Sequence, residues 1–155
     1  MKTIAATVAM LALMMTLAGP AGAQVRDETI LTYQVLTDEW RDLISGTLEL
    51  SDEEAAAFWP IYEEYGAKKR ALWDERIDVI KMFLAGYDTM SAEIARGLLD
   101  ATFENSGKKL ALEREYADKF DDVIPLNKVV RLFQAENKLE TMMMMEIAKD
   151  VPLAK

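Results

Sequence analysis

The sequence predicts an all-α protein of four helices, in which two long central helices form a kinked antiparallel hairpin flanked by two shorter helices. Three observations predict this fold. Apolar residues recur three or four positions apart over long stretches, and no segment alternates between apolar and polar residues as a half-buried strand does. Only five of the seven glycines lie beyond residue 23, so turns are few.

Residues 1–23 have the pattern of a secretory signal. Lys2 supplies a positive start, residues 4–17 are almost wholly apolar, and Ala21 and Ala23 form an A-x-A cleavage site. The alternative is an uncleaved anchor, but the apolar run is shorter than the roughly 20 residues of a membrane span. We therefore expect cleavage near Ala23, export to the periplasm without membrane insertion, and a single helical domain over residues 24–155.

The composition excludes most kinds of catalytic, metal-binding and nucleic-acid-binding site. The net charge is −9, and it becomes −10 without the signal because Lys2 is the only charged residue there. Nucleic acid is a poor partner for such a chain, since phosphate binding relies on clustered cations. The sequence has no His and no Cys, which rules out catalytic triads, thiolate nucleophiles and ordinary zinc sites. We expect no catalytic residue, no cofactor and no metal.

The first helix is expected over residues 27–45, and Gly46 is expected to end it. Its apolar residues fall toward one side, namely Ile30, Val35 or Leu36, Trp40, Leu43 and Ile44.

The second helix is expected from Ser51 to about residue 85. Ser51 and Glu54 form a capping box, with Leu50 at the hydrophobic position before it. Asp52 and Glu53 favour the positive end of the helix dipole. The alternative, a metal cluster of these carboxylates, lacks further ligands nearby, so we interpret them as a helix start.

Pro60 lies about nine residues inside this helix. It removes one backbone hydrogen bond and predicts a kink. A break is the alternative, but the apolar pattern continues beyond Pro60, which favours one bent helix.

The third and fourth helices follow from the turn residues. Gly86 is expected to end the second helix, and Thr89 or Ser91 to cap a third that runs to about Asp122. Pro125 suits the first position of a fourth helix, which continues to about residue 149.

Helix lengths predict an uncovered surface. The central helices, of about 35 and 32 residues, are each roughly 50 Å long, whereas the outer helices have only some 19 and 23 residues. The outer helices therefore cover the base of the hairpin but not its tip. An apolar patch of that size is unusual on a monomer, so we expect a dimer seam or a surface that receives other proteins. The candidate apolar contacts are Trp73, Ile77, Ile80, Phe83, Leu98 and Phe103.

Two basic clusters are expected at the same height of the hairpin. The second helix carries Lys68, Lys69 and Arg70, and the third carries Lys108 and Lys109. Carboxylates four residues away favour ordinary surface ion pairs. The alternative is a docking site for acidic segments of a partner, with the first cluster as an electrostatic guide.

The run Met142–Met145 permits three interpretations. Consecutive residues on a helix point about 100° apart, so only Met142 and Met145 share a face. Core packing, an adaptable binding surface and a soft-metal site all use Met, and packing is the favoured interpretation.

The motif LSDEE at residues 50–54, in an exported four-helix chain without cysteine, resembles the Spy/CpxP-like family of periplasmic proteins. The family signature is L-T-x-x-Q, and here Ser51 replaces Thr and Glu54 replaces Gln. The segments FWPIYEEY and VVRLFQAENKL look like a recurring subgroup of such proteins. The second family signature would fall at IPLNK, residues 124–128, which lacks both Thr and Gln.

The resemblance implies a cradle-shaped antiparallel dimer of kinked hairpins that holds unfolding proteins without ATP or modulates an envelope stress sensor. Chaperone members of the family present a basic concave face, whereas this chain is acidic. Metal-sensing members use His and Cys, which are absent here.

We therefore expect a periplasmic, non-enzymatic, ATP-independent chaperone or envelope-stress-associated binding protein. Its partners would be unfolded or specific proteins, and it would form a homodimer. The alternatives are a dimeric regulatory subunit of a membrane sensor and, less favoured, a metal-binding sensor of the same fold.

Overall fold

A computed structural model describes residues 40–154. The predicted signal peptide, residues 1–23, and residues 27–39 of the predicted first helix lie outside the described residues.

Four helices follow one another in the described chain. Residues 40–48 belong to α1, which is followed by α2 (Asp52–Gly86), a 3-10 turn (Tyr87–Thr89), α3 (Ala92–Asp121) and α4 (Leu126–Ala148). Helices α2 and α3 are the two long elements, and they pack side by side as an antiparallel hairpin. No strand occurs between residues 40 and 154. The predicted all-α fold with two long central helices is confirmed.

The predicted helix start at Ser51 is confirmed in detail. Ser51 Oγ accepts a hydrogen bond from the Glu54 amide at 3.2 Å, and the Ser51 amide donates to Glu54 Oε2 at 2.7 Å. Leu50 is partly buried against the core. At the next turn Ser91, rather than Thr89, caps α3 by accepting from the Ile94 amide at 3.2 Å.

The end of α1 differs from the prediction. The helix continues through Gly46 to residue 48, and the next residue, Glu49, adopts a left-handed conformation with φ of 49°. Cations from α4 stabilise this end, because Lys128 Nζ donates to the Glu49 carbonyl at 2.7 Å and Arg131 to the Thr47 carbonyl at 3.1 Å. These cations are 79 and 84 residues away from the carbonyls in sequence, so sequence spacing does not place them at the α1 terminus.

Two prolines were predicted to shape the helices. Helix α2 continues through Pro60 without a break, as preferred from the sequence. Pro125 is the N-cap of α4 rather than its first helical residue, so that prediction was wrong by one position.

The hydrophobic core lies at the base of the hairpin. Its centre is a group of aromatic rings, including Tyr65 against Tyr116, with centroids 5.2 Å apart, and Phe58 against Phe120, also 5.2 Å apart. Helices α1 and α4 add Trp40, Ile44, Leu48, Val129 and Leu132, and Leu112 and Ile124 complete the core. The core thus joins all four helices at one end of the molecule. Leu43, predicted on the same side of α1, is instead 57% exposed.

Beyond the aromatic core, few side chains of the hairpin are buried. Between residues 66 and 111 the buried side chains are Ile77 and Asn105. Asn105 Nδ2 donates to the Leu72 carbonyl at 2.8 Å. This bond fixes how α2 and α3 are aligned where the core no longer does so. No helix within residues 40–154 has the length and apolar character of a membrane span.

Candidate functional site

The predicted binding residues on the outer hairpin differ in accessibility. Phe103 is 67% exposed, while Ile77 is only 4% exposed and does not belong to an accessible surface. The other predicted apolar contacts, Trp73, Ile80, Phe83 and Leu98, are half-buried. Four further large apolar residues between residues 66 and 111 are exposed, namely Met82, Ile94, Leu99 and Leu110, and the first three lie nearer to the turn. We call Met82, Ile94, Leu99 and Phe103 the tip surface.

The predicted basic clusters are engaged in ion pairs. Lys68 pairs with Glu64 at 2.9 Å, and Lys108 pairs with Glu104 at 3.0 Å and Glu75 at 3.2 Å. The Lys108–Glu75 contact joins α3 to α2, so this ion pair links the two central helices.

Lys69 and Arg70 face a cleft. This cleft has a volume of about 830 Å³ and lies between the hairpin and α4, with Trp40 and Arg41 of α1 at one end. Helix α2 contributes one wall from Trp59 to Arg76, and α4 contributes the opposite wall from Glu136 to Met144. All three tryptophans of the chain, Trp40, Trp59 and Trp73, line it.

A buried glutamate connects three helices at the inner end of this cleft. Glu136 of α4 is 5% exposed. Its Oε1 accepts a hydrogen bond from Tyr62 Oη at 2.9 Å, and its Oε2 accepts from Tyr65 Oη at 2.8 Å and also from Lys69 Nζ. Tyr62 Oη in turn accepts from Trp40 Nε1. Because a buried carboxylate without partners costs much free energy, this set of donors is what allows Glu136 to lie there.

Burial, together with the Glu136 carboxylate, raises the pKa of Tyr65 well above its usual range. The tyrosine therefore stays protonated as the hydrogen-bond donor to Glu136 throughout the physiological range. Because the Glu136 carboxylate accepts all of these hydrogen bonds, the network orients the side chains involved and joins α4 to α1 and α2.

Glu136 was not singled out from the sequence, although a signal was present. It stands four residues after Leu132 and seven before Met143, both buried, so it interrupts the apolar stripe of α4. A charged residue at such a position predicts a buried partner. The sequence does not show that the partners are Lys69 and two tyrosines.

The methionine run divides between two environments. Met142 and Met145, which share a face, are exposed, so the favoured interpretation of core packing is wrong for these two. Met143 is buried and Met144 is half-buried toward the cleft. Within residues 40–154 no three carboxylates approach one another closely enough to hold a metal ion.

Comparison of the chain with protein-family models, with curated proteins and with solved structures found no match.

Proposed function

We propose that the protein is a non-enzymatic binding protein of the periplasm that holds unfolded or partner proteins without ATP and acts as a homodimer. The Spy/CpxP-like motif and the predicted signal favour this location and class. The proposal depends mainly on one observation, the placement of the core. All core residues belong to the base, whereas the outer hairpin displays the tip surface.

Leu99 and Phe103 are the best candidates for contact with a partner. They are 47% and 67% exposed and lie four residues apart, so they share one face of α3. Large apolar residues that are exposed together are typical of protein-binding surfaces, since contact with a partner removes them from water. Of the predicted electrostatic guides, Lys68 and Arg70 are exposed, while Lys69 is held by Glu136.

The test is suppression of client aggregation by the protein and by the double variant Leu99→Ser, Phe103→Ser. The variant is expected to fold normally, because both side chains are exposed, and to lose most of the suppression. The matched control is Leu126→Ser, Val130→Ser, another exposed pair four residues apart, located at the base on α4. Equal activity of the two double variants, or no suppression with several clients, would contradict the proposal.

Sedimentation of the same proteins separates the two uses of the tip surface. Two results together would favour a dimeric regulatory subunit instead of a chaperone. The parent protein would suppress no aggregation, and its dimer would dissociate only when Leu99 and Phe103 are replaced.

A further inference from the structure

The cleft between α2, α3 and α4 has a distinctive charge arrangement. Four carboxylates and five cations line it. Three of the cations hold all four carboxylates, in the pairs Arg41–Glu63, Lys69–Glu136, Lys109–Glu113 and Lys109–Glu140. The two other cations are Arg70 and Arg76. Arg70 has a further interaction of its own, so Arg76 is the cation of this cleft whose role remains to be explained.

Arg76 is set apart from the paired cations. The residues three and four positions away on its helix are Leu72, Trp73, Val79 and Ile80, so α2 itself offers it no carboxylate. Within residues 40–154 it forms no ion pair. A half-buried guanidinium beside apolar side chains is well suited to a carboxylate, which it binds through two parallel hydrogen bonds.

The walls of the cleft are mainly apolar. Leu72 and Trp73 lie on α2, and Leu139, Met143 and Met144 face them from α4. Methionine side chains adapt to the shape of a hydrocarbon ligand. Arg76 lies 17 positions after Trp59, so the α2 wall is about 25 Å long, sufficient for an extended acyl chain. The volume also falls within the range of small-molecule sites between helices.

We propose that this cleft binds a long-chain fatty acid, with the carboxylate on Arg76 and the acyl chain between Trp73 and the methionines of α4. The four carboxylates around the cleft disfavour ligands with several negative charges, whereas one anionic head group matches Arg76, which forms no ion pair within residues 40–154. The inference is independent of the tip surface and of the function proposed for it.

Tryptophan emission reports directly on this site, because every tryptophan of the chain lines the cleft. The protein is titrated with dodecanoate below the concentration at which it forms micelles. We expect a saturable change in emission with one equivalent bound per chain. Dodecanol and dodecyltrimethylammonium, which share the chain but not the anionic head group, are expected to bind at least about tenfold more weakly.

Two pairs of variants test the assignment. Arg76→Gln is expected to weaken dodecanoate binding about tenfold and to leave dodecanol binding unchanged. Its control, Arg96→Gln, removes the same charge from an exposed position of α3 outside the cleft. Gly66→Leu places a side chain into the cleft, where an added Cβ meets no atom within 4 Å. Its control is Gly107→Leu, which is equally unobstructed but outside the cleft.

Weaker binding by Arg76→Gln and Gly66→Leu, with both controls unchanged, would support the proposal. It would be overturned by the absence of saturable binding, by equal binding of the trimethylammonium compound, or by equal effects of the Arg76 and Arg96 variants. None of these readouts depends on aggregation suppression, so failure here is distinguishable from failure of the proposed function.

Discussion

Glu136 shows how one polar residue joins elements that are distant in sequence. Its carboxylate accepts hydrogen bonds from two tyrosine hydroxyls and one lysine of α2, and Tyr62 links it to Trp40 of α1. A buried pair of this kind adds little net stability compared with a well-packed apolar group, but losing one partner is costly. The network therefore makes the position of α4 specific.

Glu136→Gln is expected to lower the free energy of unfolding by about 1–3 kcal/mol, because Lys69 loses its counter-charge and the amide offers one acceptor instead of two. The control is Glu140→Gln, whose partner Lys109 also holds Glu113, and it is expected to cost less than about 1 kcal/mol. Urea denaturation of both variants measures the difference. Equal losses would show that Glu136 is an ordinary surface charge.

The capping carboxylate Glu54 makes the stability of the protein depend on pH. The hydrogen bond from Lys128, and then that from the Ser51 amide, lower the pKa of Glu54 below its ordinary value of 4.5. A group whose pKa is lowered on folding stabilises the folded state above the unfolded pKa, and this contribution is lost as pH falls through the folded pKa. Glu54→Gln is therefore expected to be less stable than the parent at pH 7, with the difference shrinking below pH 4.5.

Lys128→Met supplies the complementary measurement. It removes the main cause of the shift, so the pKa of Glu54, followed by NMR of the side-chain carboxyl carbon, is expected to rise toward 4.5. An unchanged pKa would mean that Lys128 does not contact Glu54 in solution.

At the scale of the element, the helix ends separate local from distant causes. Ser51 and Ser91 cap α2 and α3 through atoms three residues away, so the sequence alone predicts them. The end of α1 depends on Lys128 and Arg131 from another helix, and there the local glycine signal at Gly46 was misleading.

Substitutions at Gly46 and Glu49 test this helix end. Gly46 is helical, and a Cβ added to it meets no atom within 4 Å, so Gly46→Ala is expected to stabilise the protein by about 0.5–1 kcal/mol. Glu49→Gly is expected to stabilise it by about 1 kcal/mol, because glycine adopts positive φ without strain. If Gly46 ended the helix, Gly46→Ala would be destabilising instead. Thermal or urea denaturation decides between the two.

At the scale of the whole molecule, stability is concentrated at one end. The base contains the aromatic core and contacts from four helices, whereas between residues 66 and 111 of the hairpin the one buried apolar residue is Ile77. Local opening follows the density of buried contacts. The two proposed surfaces are placed differently, since the tip surface lies beyond the core whereas the cleft runs from Trp40 and Trp59 beside the core to Arg76.

Hydrogen exchange is expected to reveal this gradient. Amides in residues 58–65 and 112–120 should be the most protected, and those in residues 80–100 at least about tenfold less protected in dilute protein. If the tip surface forms a dimer seam, protection of residues 80–100 will rise with protein concentration while that of the base stays constant. Uniform protection in dilute protein would contradict a core confined to the base.

The sequence by itself determined the helices, the capping box at Ser51, the continuity through Pro60 and the unequal helix lengths, because each follows from periodicity or from neighbours within one turn. Only the tertiary structure decided that Ile77 is buried, that Lys69 is held by Glu136, that Glu49 ends α1 and that a cleft lies beside Arg76. These features arise between helices, where the partners are dozens of residues apart and sequence spacing contains no information about their distance.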